Sequence, residues 1–174
     1  ATEVGFPPGV LNIVHGAGPD VGESLVRDER VPAITFTGGT VTGRRIAETA
    51  ASQFKKLSLE MGGKNPTLIF EDADLPAAIG TAAAAAFANQ GEICLCGERL
   101  LVHESIFDEV VAGVCREAQA LAIGDPLDED TQFGALISEG HRTRVETMIA
   151  RAREEGGEVV FGGGRPTTLP DRCR

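Results

Sequence analysis

The chain lacks what would assign it to a polyanion, a membrane or a disulfide scaffold. With 16 Lys and Arg against 26 Asp and Glu its formal charge is −10, and gripping a phosphate backbone takes clustered cations. Gly43-Arg44-Arg45 and Phe54-Lys55-Lys56 are isolated basic pairs, read as solvated ends of elements. There is no Trp or Tyr, and the eight Phe are too scattered to form a stacking platform for bases. No apolar run reaches the length of a membrane span, and no signal peptide is recognisable. The expectation is a soluble, cytoplasmic protein with no nucleic-acid or membrane partner. Cys94, Cys96, Cys115 and Cys173 form neither a paired CxxC pattern nor a dense disulfide framework, so reduced thiols are expected. Zinc takes about four ligands, and Cys94, Cys96 and His103 lack a convincing spacing for it, so no metal is expected. No useful internal repeat is present.

What is there suffices for a packed core. Of 174 residues, 42% are apolar and 24% charged, a balance that fits one domain or two incomplete ones. Residues 10–14 read as a short buried strand, after which Gly16-Ala17-Gly18-Pro19-Asp20 turns the chain into a helix through about Arg27, with Asp20 as cap. Residues 33–37 read as the next strand, and 40–54 have helical spacing through Ile46, Ala47, Ala50 and Ala51. Strand, helix, strand, helix implies a parallel α/β sheet. Residues 65–70 read as a third strand, then Asp74 and Pro76 signal a helix start. The alanines of 82–86 favour that helix, and 99–103 is a fourth strand. Ser105 opens a helix with an apolar face at Ile106, Val110, Val114 and Leu121. A later helix shows one at Val145, Met148, Ile149 and Ala152, ended by Gly156-Gly157 before a short strand at 158–161.

Three segments carry chemistry. Phe87-Ala88-Asn89-Gln90-Gly91-Glu92-Ile93-Cys94-Leu95-Cys96-Gly97 sets a cysteine between a helix end and a strand, where a thiol can be aimed at an electrophile. A lone cysteine is also a common small core residue. Leu57-Ser58-Leu59-Glu60-Met61-Gly62-Gly63-Lys64-Asn65-Pro66 puts a carboxylate in a setting otherwise suited to a buried strand. There it is costly unless solvated or used, as by a general base. Gly38-Gly39-Thr40 lies where a strand hands over to its helix, so amides and the positive helix end can face a phosphate. It is not a GxGxxG fingerprint, and an ordinary strand-to-helix turn reads the same way. His15, His103 and His141 belong to none of these segments; His141 reads as a helix-surface residue and the others as turn or strand-end residues.

Taken together these segments resemble the aldehyde dehydrogenase superfamily. Phe36-Thr37-Gly38-Gly39-Thr40-Val41-Thr42-Gly43 looks like its cofactor phosphate turn, Leu59-Glu60-Met61-Gly62-Gly63-Lys64 like its glutamate motif, and Phe87 to Cys94 like its nucleophile motif. Gly124-Asp125-Pro126 and Gly134-Ala135-Leu136-Ile137 look like a further family segment. A single glycine-rich match is weak, whereas several in the family's order are specific.

The resemblance implies the end of a Rossmann-like NAD(P)-binding domain at 1–60, followed by the first part of an α/β catalytic domain at 61–174. It implies a catalytic pair, Cys94 as nucleophile and Glu60 as general base, with cofactor contacts at Gly16, Gly18, Phe36, Gly38, Gly39, Thr40, Gly43 and Gly62. Many relatives have serine at the position of Gly39. The implied cofactor is NAD, with NADP left open, and the implied substrate is a small aldehyde. The implied reaction is oxidation to a carboxylate through a thiohemiacetal and a thioester. An unperturbed thiol is only about a tenth ionised at pH 7.5, so Cys94 needs activation. Glu60 favours hydrolysis over transfer to coenzyme A, and Glu92-Ile93-Cys94-Leu95-Cys96 looks most like the muconic semialdehyde dehydrogenase branch. The chain opens Ala1-Thr2-Glu3 without a methionine. It is expected to be an internal fragment, inactive alone, of a longer homo-oligomeric enzyme. A binding protein that kept the fold and a two-thiol redox module using Cys94 and Cys96 are the rival readings.

Overall fold

The structure, a computed structural model, describes residues 2–166 and Leu169. It divides into two compact units, Ala1–Gly62 and Gly63–Arg174, and each contains one strand-helix-strand unit with its strands paired in parallel.

In the first unit a short helix α1 (Glu23–Arg27) precedes β1 (Ala33–Gly38), α2 (Thr40–Ala51) and β2 (Lys56–Met61). β1 and β2 run in register from Ala33 opposite Lys56 to Gly38 opposite Met61. Side chains alternate along a strand, so Ile34 and Phe36 share a face with Leu57, Leu59 and Met61, while Thr35, Thr37, Ser58 and Glu60 share the other. Helix α2 packs on the first of these faces, burying Ile46 and Ala50. Its approach depends on Gly43, since a Cβ there would lie 2.6 Å from Met61 Sδ and 3.7 Å from the Phe36 ring.

In the second unit β3 (Pro66–Ile69) and β4 (Arg99–Val102) flank α3 (Leu75–Phe87), followed by α4 (Phe107–Ala120) and α5 (Glu139–Glu154). Helix α3 starts where the local chemistry dictates: Asp74 Oδ1 accepts from the Ala77 amide at 3.3 Å, with Pro76 in the first turn. The core gathers Ile69 of β3, Ile79 and Ala82 of α3 and Val110 of α4, with Leu100, Val102, Ile106 and Val114 packed around it. Close contact of the two helices rests on Gly113, where a Cβ would come within 2.6 Å of Ile79 Cδ1.

Several sequence expectations give way. Residues 10–14 and 158–161 are apolar but form no strand, because neither segment pairs with a strand among the described residues. Leu11 and Ile13 are exposed rather than buried. Asp20 does not cap α1. It lies inside a π-turn, Gly18–Gly22, that starts at Gly18-Pro19 and runs straight into α1, and its carbonyl accepts the Ser24 hydroxyl at 2.7 Å. Helix α2 stops at Ala51 rather than near residue 54, since Phe54 is left-handed (φ 50°) and reverses the chain into β2. The strand carrying Glu60 is largely exposed, not buried. Ser105 sits in a 3-10 turn, Glu104–Ile106, capped by His103 Nδ1, and α4 begins at Phe107. On α5 only Val145 and Ile149 of the expected face are half-buried, while Met148 and Ala152 are exposed. Gly156 does end that helix, with φ 94°. Cys173 lies outside the described residues.

Candidate active site

The nucleophile candidate is set by the exit from α3. After Phe87 the chain takes three successive left-handed residues, Asn89 (φ 47°), Gln90 (φ 56°) and Gly91 (φ 74°). Two of them carry a Cβ, and such strain persists only where surrounding contacts fix it. Here the Asn89 carbonyl accepts from the Glu92 amide at 3.0 Å and Gln90 Nε2 donates to Gly134 O at 3.4 Å. The Ile93 carbonyl accepts from the Cys96 amide at 3.0 Å, closing a turn with Cys94 at its tip, and the Gly97 amide donates to Ala85 O of α3 at 3.0 Å. A Cβ on Gly97 would lie 2.2 Å from Thr67 Oγ1 of β3, so the turn lies directly on the strand. From beneath, Asn65 Nδ2 donates to Cys94 O at 2.8 Å and Cys96 O at 3.1 Å. Lys64 pairs with Glu98, and the Arg99 amide donates to Asn65 O.

The outcome for the thiols is a division of roles. Cys94 is exposed, whereas Cys96 is buried with its sulfur 3.6 Å from Ala88 O, and Cys115 is half-buried on α4. Beside the turn, Glu92 Oε1 lies 2.9 Å from His141 Nε2 of α5. A carboxylate only accepts, so the His141 Nε2–H donates. The sequence marked His141 as a helix-surface residue; it is half-buried and ties α5 to the segment carrying Cys94. Neither the Asn65 clamp nor this bridge is visible in local pattern, because each joins residues far apart in the chain. The Asn89-Gln90-Gly91 run did carry a signal, since Asn and Gly are the residues most tolerant of left-handed backbone.

The other predicted residues lie in the first unit. Glu60 stands opposite Thr37 in the parallel register, on the face of β2 turned away from α2. Phe36 and Gly38 share the opposite face; a Cβ on Gly38 would meet the Phe36 ring at 2.5 Å. Gly39 is the extended residue before α2 (φ −75°, ψ 146°), and no side chain caps the helix. The amides of Thr40, Val41 and Thr42 therefore head a helix end whose entrance is clear, since a Cβ on Gly39 would meet nothing within 4 Å. That arrangement fits a phosphate oxygen. Gly43 is one turn further in, and its structural part is the packing of α2 on Met61. Gly16 packs against Val21, while Gly18 opens the π-turn before α1. Gly62 meets no neighbour within 4 Å of an added Cβ and ends the unit. Glu60 and Cys94 thus belong to different units.

Among the described residues, no group of three or more His, Cys, Asp or Glu side chains is placed to hold a metal, and no helix is long and apolar enough to cross a membrane.

Comparison with known proteins gives this arrangement its context. The family model described as "Aldehyde dehydrogenase family" matches residues 1–172. The chain is 48% identical over 162 residues to 2-aminomuconic semialdehyde dehydrogenase of Bos taurus, covering 93% of this chain and 33% of that protein. It is 45% identical over 171 residues to 5-carboxymethyl-2-hydroxymuconate semialdehyde dehydrogenase of Escherichia coli, covering 98% of this chain and 36% of that protein. A crystal structure of betaine aldehyde dehydrogenase from Staphylococcus aureus in complex with NAD+ superposes with a TM-score of 0.90 at 37% identity, over 96% of this chain and 33% of that one. The chain thus spans about a third of the length of these relatives. The described α/β architecture superposes on about a third of that Staphylococcus aureus structure, and the chain belongs to the aldehyde dehydrogenase family.

Proposed function

We propose that the intact protein carrying this chain oxidises an aldehyde to a carboxylate with NAD, using Cys94 as nucleophile and Glu60 as general base. The observation that carries the reading is the Cys94 turn: the one exposed thiol among the described cysteines stands at its tip, held from below by Asn65. In this reading residues 1–60 belong to the cofactor portion and 61–174 to the catalytic portion. The open, uncapped start of α2 would hold the cofactor phosphates through the amides of Thr40 to Thr42, with Phe36 packed beneath Gly38. When bound, NAD supplies the acceptor for the hydride. The Staphylococcus aureus relative crystallised with NAD+ supports that choice of cofactor.

The Cys94 sulfur attacks the aldehyde carbon, and the carbonyl electron pair moves to oxygen to give a tetrahedral thiohemiacetal. The Cys94 amide steadies that oxyanion. Once the carbon-bound hydrogen has left with its electron pair, the carbonyl reforms as a thioester on Cys94. Glu60 then removes a proton from water, the hydroxide adds to the thioester, and the carbon–sulfur bond breaks to release carboxylate and thiolate. The identities to the bovine and Escherichia coli enzymes favour a muconic semialdehyde as substrate.

The test is Cys94→Ala in the intact protein. NADH formation followed by stopped flow should vanish, while NAD affinity stays within a few-fold, since the thiol supplies the covalent step and the α2 turn the phosphate site. Substantial turnover by the variant would refute the assignment.

A further inference from the structure

The side chain that reaches the Cys94 turn from across the strand-helix-strand unit is Asn65. Its amide nitrogen has two hydrogens, and two acceptors face it: Cys94 O at 2.8 Å and Cys96 O at 3.1 Å. These carbonyls bracket Leu95, whose side chain is exposed and holds nothing. Cys96 is buried, and Gly97 is pressed against Thr67, so the far side of the turn is anchored. The near side, with Cys94, has Asn65 as its side-chain tether. Fixing the Cys94 carbonyl fixes the peptide plane after Cys94 and, with it, the direction of the Cα–Cβ bond that carries the sulfur.

The chemistry of the side chain is specific to this task. Aspartate has nearly the same shape but only acceptors, and would set a carboxylate against two carbonyl oxygens. Serine has one hydrogen to donate and can satisfy one carbonyl. Alanine leaves both without this partner. The backbone of Asn65 is itself held, since its carbonyl accepts from the Arg99 amide at 3.2 Å, next to the Lys64–Glu98 pair. The amide is thus a fixed donor on the start of β3 and not a mobile surface group.

We propose that Asn65 is a positioning residue of the reaction, its amide aiming the Cys94 thiol by gripping the carbonyls of Cys94 and Cys96; this rests on the reading of Cys94 as nucleophile. A misplacement of about 1 Å in a reacting group costs about 10²-fold in rate. Asn65→Ala should therefore slow the chemical step by about 10- to 100-fold. Asn65→Asp should be at least as slow, and Asn65→Ser should fall between alanine and the parent.

The experiment is single-turnover NADH formation by the intact protein at saturating NAD and aldehyde, together with the rate of Cys94 alkylation by iodoacetamide located by mass spectrometry. The NADH amplitude counts competent sites, and the exponential rate reports the chemistry. A slowed rate at near-full amplitude, with the exposed Cys94 still alkylated at about the parent's rate and NAD affinity within about twofold, is the expected result. A reduced amplitude with the parent's rate would mean that Asn65 only stabilises the fold, and would overturn the proposal, as would the parent's NADH rate in Asn65→Ala. Should that variant not fold, Asn65→Ser carries the same test: a fall of about threefold or more supports the clamp, and the parent's rate overturns it. Turnover retained in Cys94→Ala would instead remove the nucleophile reading itself, whatever Asn65 does.

Discussion

Two glycines inside neighbouring helices should respond to the same substitution with opposite signs. Gly→Ala in a helix interior gains about 1 kcal/mol from propensity alone. At Gly80 of α3 an added Cβ meets nothing within 4 Å, so Gly80→Ala should stabilise by about 0.5–1 kcal/mol. At Gly113 of α4 the new methyl would sit 2.6, 2.9 and 3.1 Å from Ile79 Cδ1, Cγ2 and Cγ1. All three atoms belong to one β-branched side chain wedged in the core beside the fully buried Val110. Ile79 cannot rotate away without giving up that packing. Overpacking of this kind costs about 1–3 kcal/mol, and three contacts on a stiff partner put the cost near the upper end. Less the propensity gain, Gly113→Ala should lose about 1–2 kcal/mol. Hydrogen exchange of the α3 and α4 amides in the intact protein reads this directly, since protection there tracks the local opening free energy. A loss of 1.4 kcal/mol is about a tenfold fall in protection. Equal protection in the two variants would refute the packing argument.

Glu60→Gln keeps size and removes the base, so hydride transfer should yield about one equivalent of NADH and then stall, with a thioester on Cys94 visible by mass spectrometry; an undiminished steady-state rate would remove Glu60 from the mechanism. Asp74→Ala deletes the cap of α3 and should cost about 0.5–1 kcal/mol, the low side of the usual range because the bond is 3.3 Å long; unchanged protection of the first α3 turn would contradict that. The Asp28 carboxyl is held well below the ordinary range, first by the Arg30 side chain and then by the Arg30 amide. A depressed folded-state pKa means that its contribution is present above the unfolded value of about 3.9 and is lost as pH falls below it. In an NMR titration Arg30→Ala should raise the Asp28 pKa, and an unmoved titration would contradict the pairing.

What was legible in the sequence was local or carried by a motif. Asp74 and Pro76 start α3 as read because a cap and its amide lie three residues apart, and Gly156 ends α5 because only its own backbone is involved. The strands at Pro66–Ile69 and Arg99–Val102, expected at 65–70 and 99–103, followed from short apolar runs between turn residues. Residues 10–14 have the same composition, but a strand is a relation between two segments, and no partner for this one exists among the described residues. Asp20 looked like a cap, yet Gly18-Pro19 opened the helical turn earlier. At the site, Cys94 and Glu60 were marked by their motifs, whereas Asn65 was passed over. Its acceptors lie 29 and 31 residues away, and no periodicity or spacing encodes a bond of that span.

The same span bears on how the protein reaches its working state. Asn65 precedes β3 and Cys94 lies between α3 and β4, and helix α3 can form from its own sequence before these two residues meet. Closing that loop costs entropy that the parallel pairing of β3 with β4 and the core packed on those strands repay. During refolding the Cys94 thiol is therefore present and exposed well before it is aimed. Thiol accessibility should be there from the start of refolding and aldehyde-directed reactivity come late, so a count of free thiols overstates the fraction of working molecules until the two strands have paired.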